Sequence, residues 1–195
     1  EGCRQYAEWT ERLEYRTPSM ISINLSRKQF ACPHLVHTVQ RTLEEFQVNP
    51  KHIQLEVTED AFASDIKEAI QAMKDIKAIG VKLAIDDFGI GRSSFASLNQ
   101  FPVDTLKIDR SLIAEVKRTK GMAAMINSLV VLSENLGIML IPEGIEEQNQ
   151  VTALKKLGCH FGQGYFFARP MPADKLEAYL LEQPSACFNA LPQLV

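Results

Sequence analysis

Residues 20–25 alternate in character: Ile21, Ile23 and Leu25 fall on one parity, Ser22 and Asn24 on the other. Successive side chains of a strand point to opposite faces, so this pattern predicts a strand with one apolar and one polar face. The same holds at 53–57, where Ile53, Leu55 and Val57 oppose Gln54 and Glu56. At 81–86, Val81, Leu83 and Ile85 oppose Lys82, Ala84 and Asp86, and at 105–109 Leu106 and Ile108 oppose Thr105, Lys107 and Asp109. Strands are predicted over 20–26, 52–59, 81–88, 104–109 and 137–144, with a weaker sixth candidate at 160–166.

Runs with helical spacing separate them, at 35–46, 64–80, 122–137, 147–158 and 173–183, and an amphipathic stretch opens the chain over 1–15. Several runs end on glycine (Gly80, Gly137, Gly158), the residue that most often stops a helix. Strand and helix in alternation predict a parallel sheet covered by helices. No G-x-G-x-x-G follows the first strand, so a dinucleotide-binding sheet lacks its main signal. The apolar parity suits packing on helices, which turns the polar parity inward, and its polar groups sit near strand ends. That is the pattern of an α/β fold of the TIM-type (β/α) barrel class, with functional groups at the C-terminal rim. About six of the eight strands such a barrel needs are visible, so the barrel is expected to be incomplete at its N-terminus. The missing strands would precede residue 1, in keeping with a chain that begins inside a helix. One domain over 1–195 is expected, with 183–195 as a C-terminal tail.

Composition narrows the partners. With 195 residues, 46% of them hydrophobic, the chain can bury one sizeable core. A formal net charge of −3 and a pI near 5.9 argue against a nucleic-acid polymer gripped by a basic surface. A nucleotide held through a metal is compatible with the same charge. No apolar run approaches the ~20 residues that cross a bilayer, so no membrane contact by this segment is expected. Cys3, Cys32, Cys159 and Cys187 are scattered without a C-x-x-C pair, which points to a reducing cytoplasm.

The candidate chemistry centres on KLAIDDFGIG, residues 82–91. A buried-looking strand delivers two adjacent carboxylates, Asp86 and Asp87, and then breaks into glycines. Like charges at the edge of a core are costly unless a cation compensates them. Asn24, Glu56, Asp86, Lys107 and Glu143 all fall on the inward parity near the ends of five different strands. Four of them offer the oxygen ligands that Mg²⁺ or Mn²⁺ prefers. Asp87 can serve a second ion, and two metals ~3.5–4 Å apart can clamp the attacking and leaving oxygens of a phosphoryl transfer. Lys107, inside that acidic ring, suits a general base or a protonated orienter of water or phosphate. Taken singly, each group has a plainer role. Asp86–Asp87 can cap a helix or anchor a loop, Lys107, Asp109 and Arg110 can pair on a surface, and Glu143 and Glu146 can be first-turn helix acids. The shared parity sets them apart. His34-x-x-His37 reads as a helix start, Ser93–Ser94 as a mobile loop, and Met122, Met125, Leu129 and Leu132 as helix core.

INLS, LEVTED, DDFGIGRSS, FPVDTLKIDRS, PEGIEE and GCHFGQGYFFARPMP occur here in the order found in EAL domains, the bacterial phosphodiesterases specific for cyclic di-GMP, which this chain resembles over nearly all its length. The resemblance implies metal ligation by Asn24, Glu56, Asp86, Asp87 and Glu143, and Lys107 as base or water-orienting group. It further implies that Glu59 braces the loop after Asp87 and that Gln163 lies at the rim near the nucleotide or water. It implies a two-metal site for Mg²⁺ or Mn²⁺, and a modified barrel with one strand antiparallel to the rest.

Three departures accompany it. The Glu-Ala-Leu segment that names the family is absent, its position falling before residue 1, so one metal ligand is missing. Ile90 and Arg92 replace the usual Thr and aromatic residue, and Pro142 replaces the usual Ala before Glu143–Gly144. The leading expectation is metal-dependent hydrolysis of cyclic di-GMP to linear pGpG in a bacterial second-messenger signalling protein, when the domain is complete. The alternative is an inactive cyclic di-GMP receptor. An enolase-like barrel explains Lys107 but not the Asp86–Asp87 pair. The segment alone is expected to be inactive and to self-associate through its open barrel edge, or to pair with other domains of a parent protein. Phe188, Leu191, Leu194 and Val195 of the tail would partly cover that seam.

Overall fold

The computed structural model describes residues 1–62, 66–89, 95–116 and 119–182. Helix α1 (Gly2–Leu13) leads into strand β1 (Ile21–Leu25), and helices α2 (Arg27–Phe30) and α3 (Leu35–Glu45) lead to β2 (Ile53–Thr58). Helix α4 (Ile66–Ala78) precedes β3 (Lys82–Phe88), which is followed by β4 (Thr105–Ile108). Then α5 (Arg110–Glu115) and α6 (Lys120–Leu136) lead to β5 (Met139–Pro142), and α7 (Gln148–Lys156) and α8 (Ala173–Glu182) follow. The five strands form one sheet in the order β1-β2-β3-β4-β5, every neighbouring pair parallel.

Parity in the strands does what the alternation predicts. Ile53, Leu55, Val57, Val81, Leu83, Ile85, Leu106 and Ile108 are all buried in the main core. Ala69, Met73 and Ile76 of α4 and Ile126, Leu129 and Val130 of α6 belong to the same core. Each such aliphatic side chain contributes roughly 1.5–3 kcal/mol when fully buried. On the opposite parity Gln54, Glu56, Thr105 and Lys107 are buried too, facing inward from β2 and β4. A second, small cluster of Trp9, Leu13 and Leu180 docks α8 on α1, with Arg12 and Glu177 3.5 Å apart at its margin.

The fold differs from expectation in three ways. The sixth candidate strand, 160–166, is not a strand: it is a loop after α7 that lies against the end of β5 and the turn beyond it, where Phe166 N–H donates to Ile145 O at 2.9 Å. Gln163 N–H donates to Pro142 O at 2.9 Å, and Ile145 N–H donates to Gln163 O at 3.1 Å. A Cβ on Gly164 would strike the backbone of Ile145, so the chain here is shaped by close approach rather than by strand pairing. The antiparallel strand is not among the five described strands; the sheet they form is not closed, as expected of an incomplete barrel. Two short helices had no periodicity to announce them. A capping box of Ser26 and Gln29 starts α2, and the Asp109 side chain, accepting from Ser111 N–H at 2.8 Å, starts α5.

Pro142 ends β5, where its ring costs the ladder little and its carbonyl still accepts from Gln163. Ile90, Arg92, Ser93, Ser94 and the tail 183–195 lie outside the described residues. Among those described, no helix is long and apolar enough to cross a membrane.

Candidate functional site

The site is built on the ends of parallel strands. Glu56 and Lys107 come from β2 and β4, which are separated by β3, and their side chains meet above it with Lys107 Nζ 2.8 Å from Glu56 Oε2. Glu143, one residue beyond β5, brings Oε1 to 2.7 Å from the same nitrogen, and Asp86 of β3 brings Oδ1 to 3.4 Å. Lys107 and Glu56 are almost fully buried, with 4% and 3% of their side chains exposed. A buried charge costs several kcal/mol to desolvate, so this lysine is tolerable only because carboxylates ring it. Burial works against its charged form, but Glu56 and Glu143 outweigh that and hold its pKa above the usual lysine range.

One cation does not balance three carboxylates. Burial first, and then repulsion from Asp86 and Glu56, pushes Glu143 up to about 7 even though Lys107 pulls the other way. Asp87 is also raised, by burial and then by the charges of Asp86 and Asp109.

Asp86 and Asp87 illustrate what alternation misses. On a regular strand they would face opposite ways. The β3–β4 register runs regularly to Ile85–Leu106 and then shifts before Phe88–Ile108, so β3 carries one residue more than β4 there. Asp87 sits at φ +54 in this bulge, and its N–H donates to Asp86 Oδ1 at 3.0 Å. The bulge turns the second carboxylate back toward the first. Oxygens of Asp86, Asp87 and Glu143 consequently lie within 4.8 Å of one another, a cluster able to hold a metal ion. Gly144 follows Glu143 at φ +65, where a Cβ would strike Arg110 at the head of α5.

The donor set fits a hard divalent cation. It consists of carboxylates, and Glu56 Oε1 is buried without a hydrogen-bond partner, the kind of orphaned oxygen that a cation would satisfy. Asn24 stands in register with Glu56 on β1 and so shares its face, but it is exposed at the sheet edge. Gln163 lies with Asp87, Glu143 and Glu146 around a cleft of about 460 Å³ next to the cluster. Glu59 is buried at the start of a short 3₁₀ turn after β2, and most of the loop it was expected to brace, 90–94, lies outside the described residues. His34 and His37 are exposed on and before α3 and join no metal-ligating cluster among the described residues.

Asp109 was missed as a site residue. It lines the same cleft as Asp87 while capping α5, and hydrogen bonds from Ser111 outweigh its burial to hold its pKa below the usual carboxylate range. It follows Lys107 by two residues on the inward parity, and that spacing was the signal.

The EAL domain family matches residues 1–170. The chain belongs to the EAL domain family. It is 37% identical over 178 residues to the bifunctional diguanylate cyclase/cyclic di-GMP phosphodiesterase MucR of Pseudomonas aeruginosa, covering 91% of this chain and 26% of MucR. It is 36% identical over 162 residues to the cyclic di-GMP phosphodiesterase RocR of the same organism, covering 83% of this chain and 41% of RocR. This EAL domain thus spans between a quarter and two fifths of the length of these two relatives. A solved structure of the PaMucR phosphodiesterase in a c-di-GMP complex superposes with a TM-score of 0.82 at 37% identity, over 89% of this chain and 70% of that one. A Klebsiella pneumoniae BlrP1 manganese/cyclic di-GMP complex gives a TM-score of 0.77 at 28% identity, over 87% of this chain and 43% of that one. The five-stranded sheet is therefore part of an EAL-type barrel.

Proposed function

We propose that this EAL domain hydrolyses one phosphodiester bond of cyclic di-GMP to give linear pGpG, within a bacterial signalling protein. The observation that carries the reading is the charge surplus at the strand ends: one buried lysine within 3.4 Å of three carboxylates, with a fourth, Asp87, beside them. Glu56, Asp86, Asp87 and Glu143, with Asn24 at the sheet edge, would hold Mg²⁺ or Mn²⁺. When bound, such ions supply a nucleophilic water at neutral pH and Lewis-acid stabilisation of the phosphoryl oxygens.

The chain's own residues do the rest. Lys107, ringed by carboxylates, serves as a cationic hydrogen-bond donor that orients water and offsets charge on the phosphate. Glu56 and Glu143 fix its ammonium from two sides. Gln163 places its amide at the rim, where it can hydrogen-bond the nucleotide or the attacking water. Glu59 braces the loop that follows Asp87. In the overall reaction a water oxygen bonds to phosphorus and the bond from phosphorus to the ribose oxygen breaks, with the proton passing to the leaving alcohol. A cytoplasmic location and self-association along the exposed edge of β1 belong to the same proposal; size-exclusion chromatography tests the latter.

The deciding experiment incubates the full-length protein with cyclic di-GMP and Mg²⁺ or Mn²⁺ and follows the nucleotides by chromatography. Linear pGpG is the expected product. Saturable nucleotide binding with no linear product over hours would assign the receptor role instead.

A further inference from the structure

One layer beneath Lys107, side chains of two strands that are not neighbours meet. Gln54 on β2 and Thr105 on β4 are 0% and 1% exposed. Thr105 Oγ1 donates to Gln54 Oε1 at 2.7 Å, and Gln54 Nε2 donates to Ser22 Oγ on β1 at 3.0 Å. The amide is thus oriented by a donor on one side and an acceptor on the other, and it ties three strands together. Gln54 precedes Glu56 by two residues and Thr105 precedes Lys107 by two, so each shares its partner's face.

Backbone pairing does not fix these two strands against each other, because β3 lies between them. Ala84 of β3, fully buried and in register with both Glu56 and Thr105, is small enough to let the flanking side chains reach over it. The β3–β4 ladder also loses its regular register just above this layer, after Ile85–Leu106. A slip of one residue in β4 would carry Lys107 to the opposite face. The polar layer lies where the strand heights need a restraint other than the ladder.

Stability alone does not call for an amide here. A buried polar pair contributes only ~0.5–1.5 kcal/mol net, and an apolar pair of the same shape can be nearly neutral. An amide does supply direction, since it accepts from one strand and donates to another.

We propose that Gln54 and Thr105 are positioning residues for the Glu56–Lys107 pair. Their hydrogen bond sets the relative height of β2 and β4 at which Lys107 Nζ and Glu56 Oε2 meet at 2.8 Å. The catalytic consequence rests on the phosphodiesterase reading above; the geometric one does not.

The test uses the full-length protein with Thr105→Val, Thr105→Ser and the double variant Gln54→Leu/Thr105→Val. Mn²⁺ affinity by calorimetry, kcat and KM for cyclic di-GMP, and the melting temperature are read for each. Thr105→Val is expected to weaken Mn²⁺ binding about 10-fold, as loss of an outer partner of a ligand does. It is expected to lower kcat by about 10-fold with KM within about twofold, the signature of a misplaced group. Thr105→Ser, which keeps the hydroxyl, restores both to within about twofold of the wild type. The double variant removes both buried polar partners and leaves only Ser22 Oγ, which is half-buried and within reach of water, so it melts close to the wild type yet stays impaired in Mn²⁺ affinity. A double variant with wild-type Mn²⁺ affinity overturns the proposal and makes the layer packing only. Wild-type protein that binds Mn²⁺ without linearising cyclic di-GMP removes the functional reading, while the Mn²⁺ series still decides the positioning. Wild-type protein that binds no Mn²⁺ overturns both.

Discussion

Two lysine–carboxylate clusters bracket β4, and they are built to opposite ends. At its start, Lys77 of α4 places Nζ 2.5 and 2.6 Å from the two oxygens of Asp104, and Asp104 Oδ2 also accepts from Leu83 N–H at 2.9 Å. One charge meets one charge, both side chains are about a third exposed, and both oxygens are engaged. Near its end, Lys107 faces Glu56, Asp86 and Glu143, and one oxygen of Glu56 has no hydrogen bond. The lower cluster is electrically closed and ties α4 and β3 to the segment entering β4. Among the described residues the upper one has a negative surplus, which a bound cation would settle. A (β/α) barrel divides its labour this way, with stability at the N-terminal face and chemistry at the C-terminal face.

The largest effect expected from that difference concerns metal. Excess chelator should abolish cyclic di-GMP turnover, and added Mn²⁺ should restore it and raise the melting temperature as its concentration rises. Full turnover in excess chelator would mean that the upper surplus has another use. Next in size is Lys107→Met, which removes the ring's cation among the described residues. A fall in kcat of roughly 10²–10⁴-fold is expected, with a smaller change in KM. An equal loss in nucleotide binding would make Lys107 a ground-state phosphate contact instead.

A pH series sharpens the comparison at a smaller scale. Burial and repulsion raise Glu143 from 4.5 to about 7 in the folded protein. Between those values the native state holds a proton that the unfolded chain has released. The metal-free protein should therefore lose stability as pH rises through this window, reaching its full loss above about 7. A cation selects the carboxylate, so Mn²⁺ affinity should climb with pH up to about 7 by as much as tenfold per unit, and then level off. An affinity flat from pH 5 to 8 would take Glu143 out of the ligand set.

Strand positions and the parity of Glu56, Asp86, Lys107 and Glu143 were legible in the sequence because both follow from alternation, a local property. What was not legible is non-local. The bulge that swings Asp87 to the side of Asp86 depends on β4 pairing one residue short. The 160–166 segment has strand-like aromatics but packs Gly164 against the backbone of Ile145, a contact set by the chain around β5. The bond between Gln54 and Thr105 spans 51 residues and two non-adjacent strands, so no window of sequence contains it. Asp109 was on the right parity, and its capping of α5 hid the fact that it also faces the cleft.

The smallest expected effect tests the lower cluster. Asp104→Ala removes the Lys77 ion pair and leaves Leu83 N–H without its side-chain acceptor, for an expected loss of about 1–2 kcal/mol. Asp104→Asn keeps an oxygen for Leu83 and should cost less, and Lys77→Ala, which breaks only a third-exposed pair, should cost under about 1 kcal/mol. In all three variants kcat and Mn²⁺ affinity should stay within about twofold of the wild type, as expected of a site away from the reacting groups. Denaturant unfolding orders the three stabilities, and steady-state kinetics supplies the control. If Asp104→Ala lowered kcat out of proportion to stability, the two ends of β4 would be coupled. The division between a closed lower cluster and an open upper one would then fail.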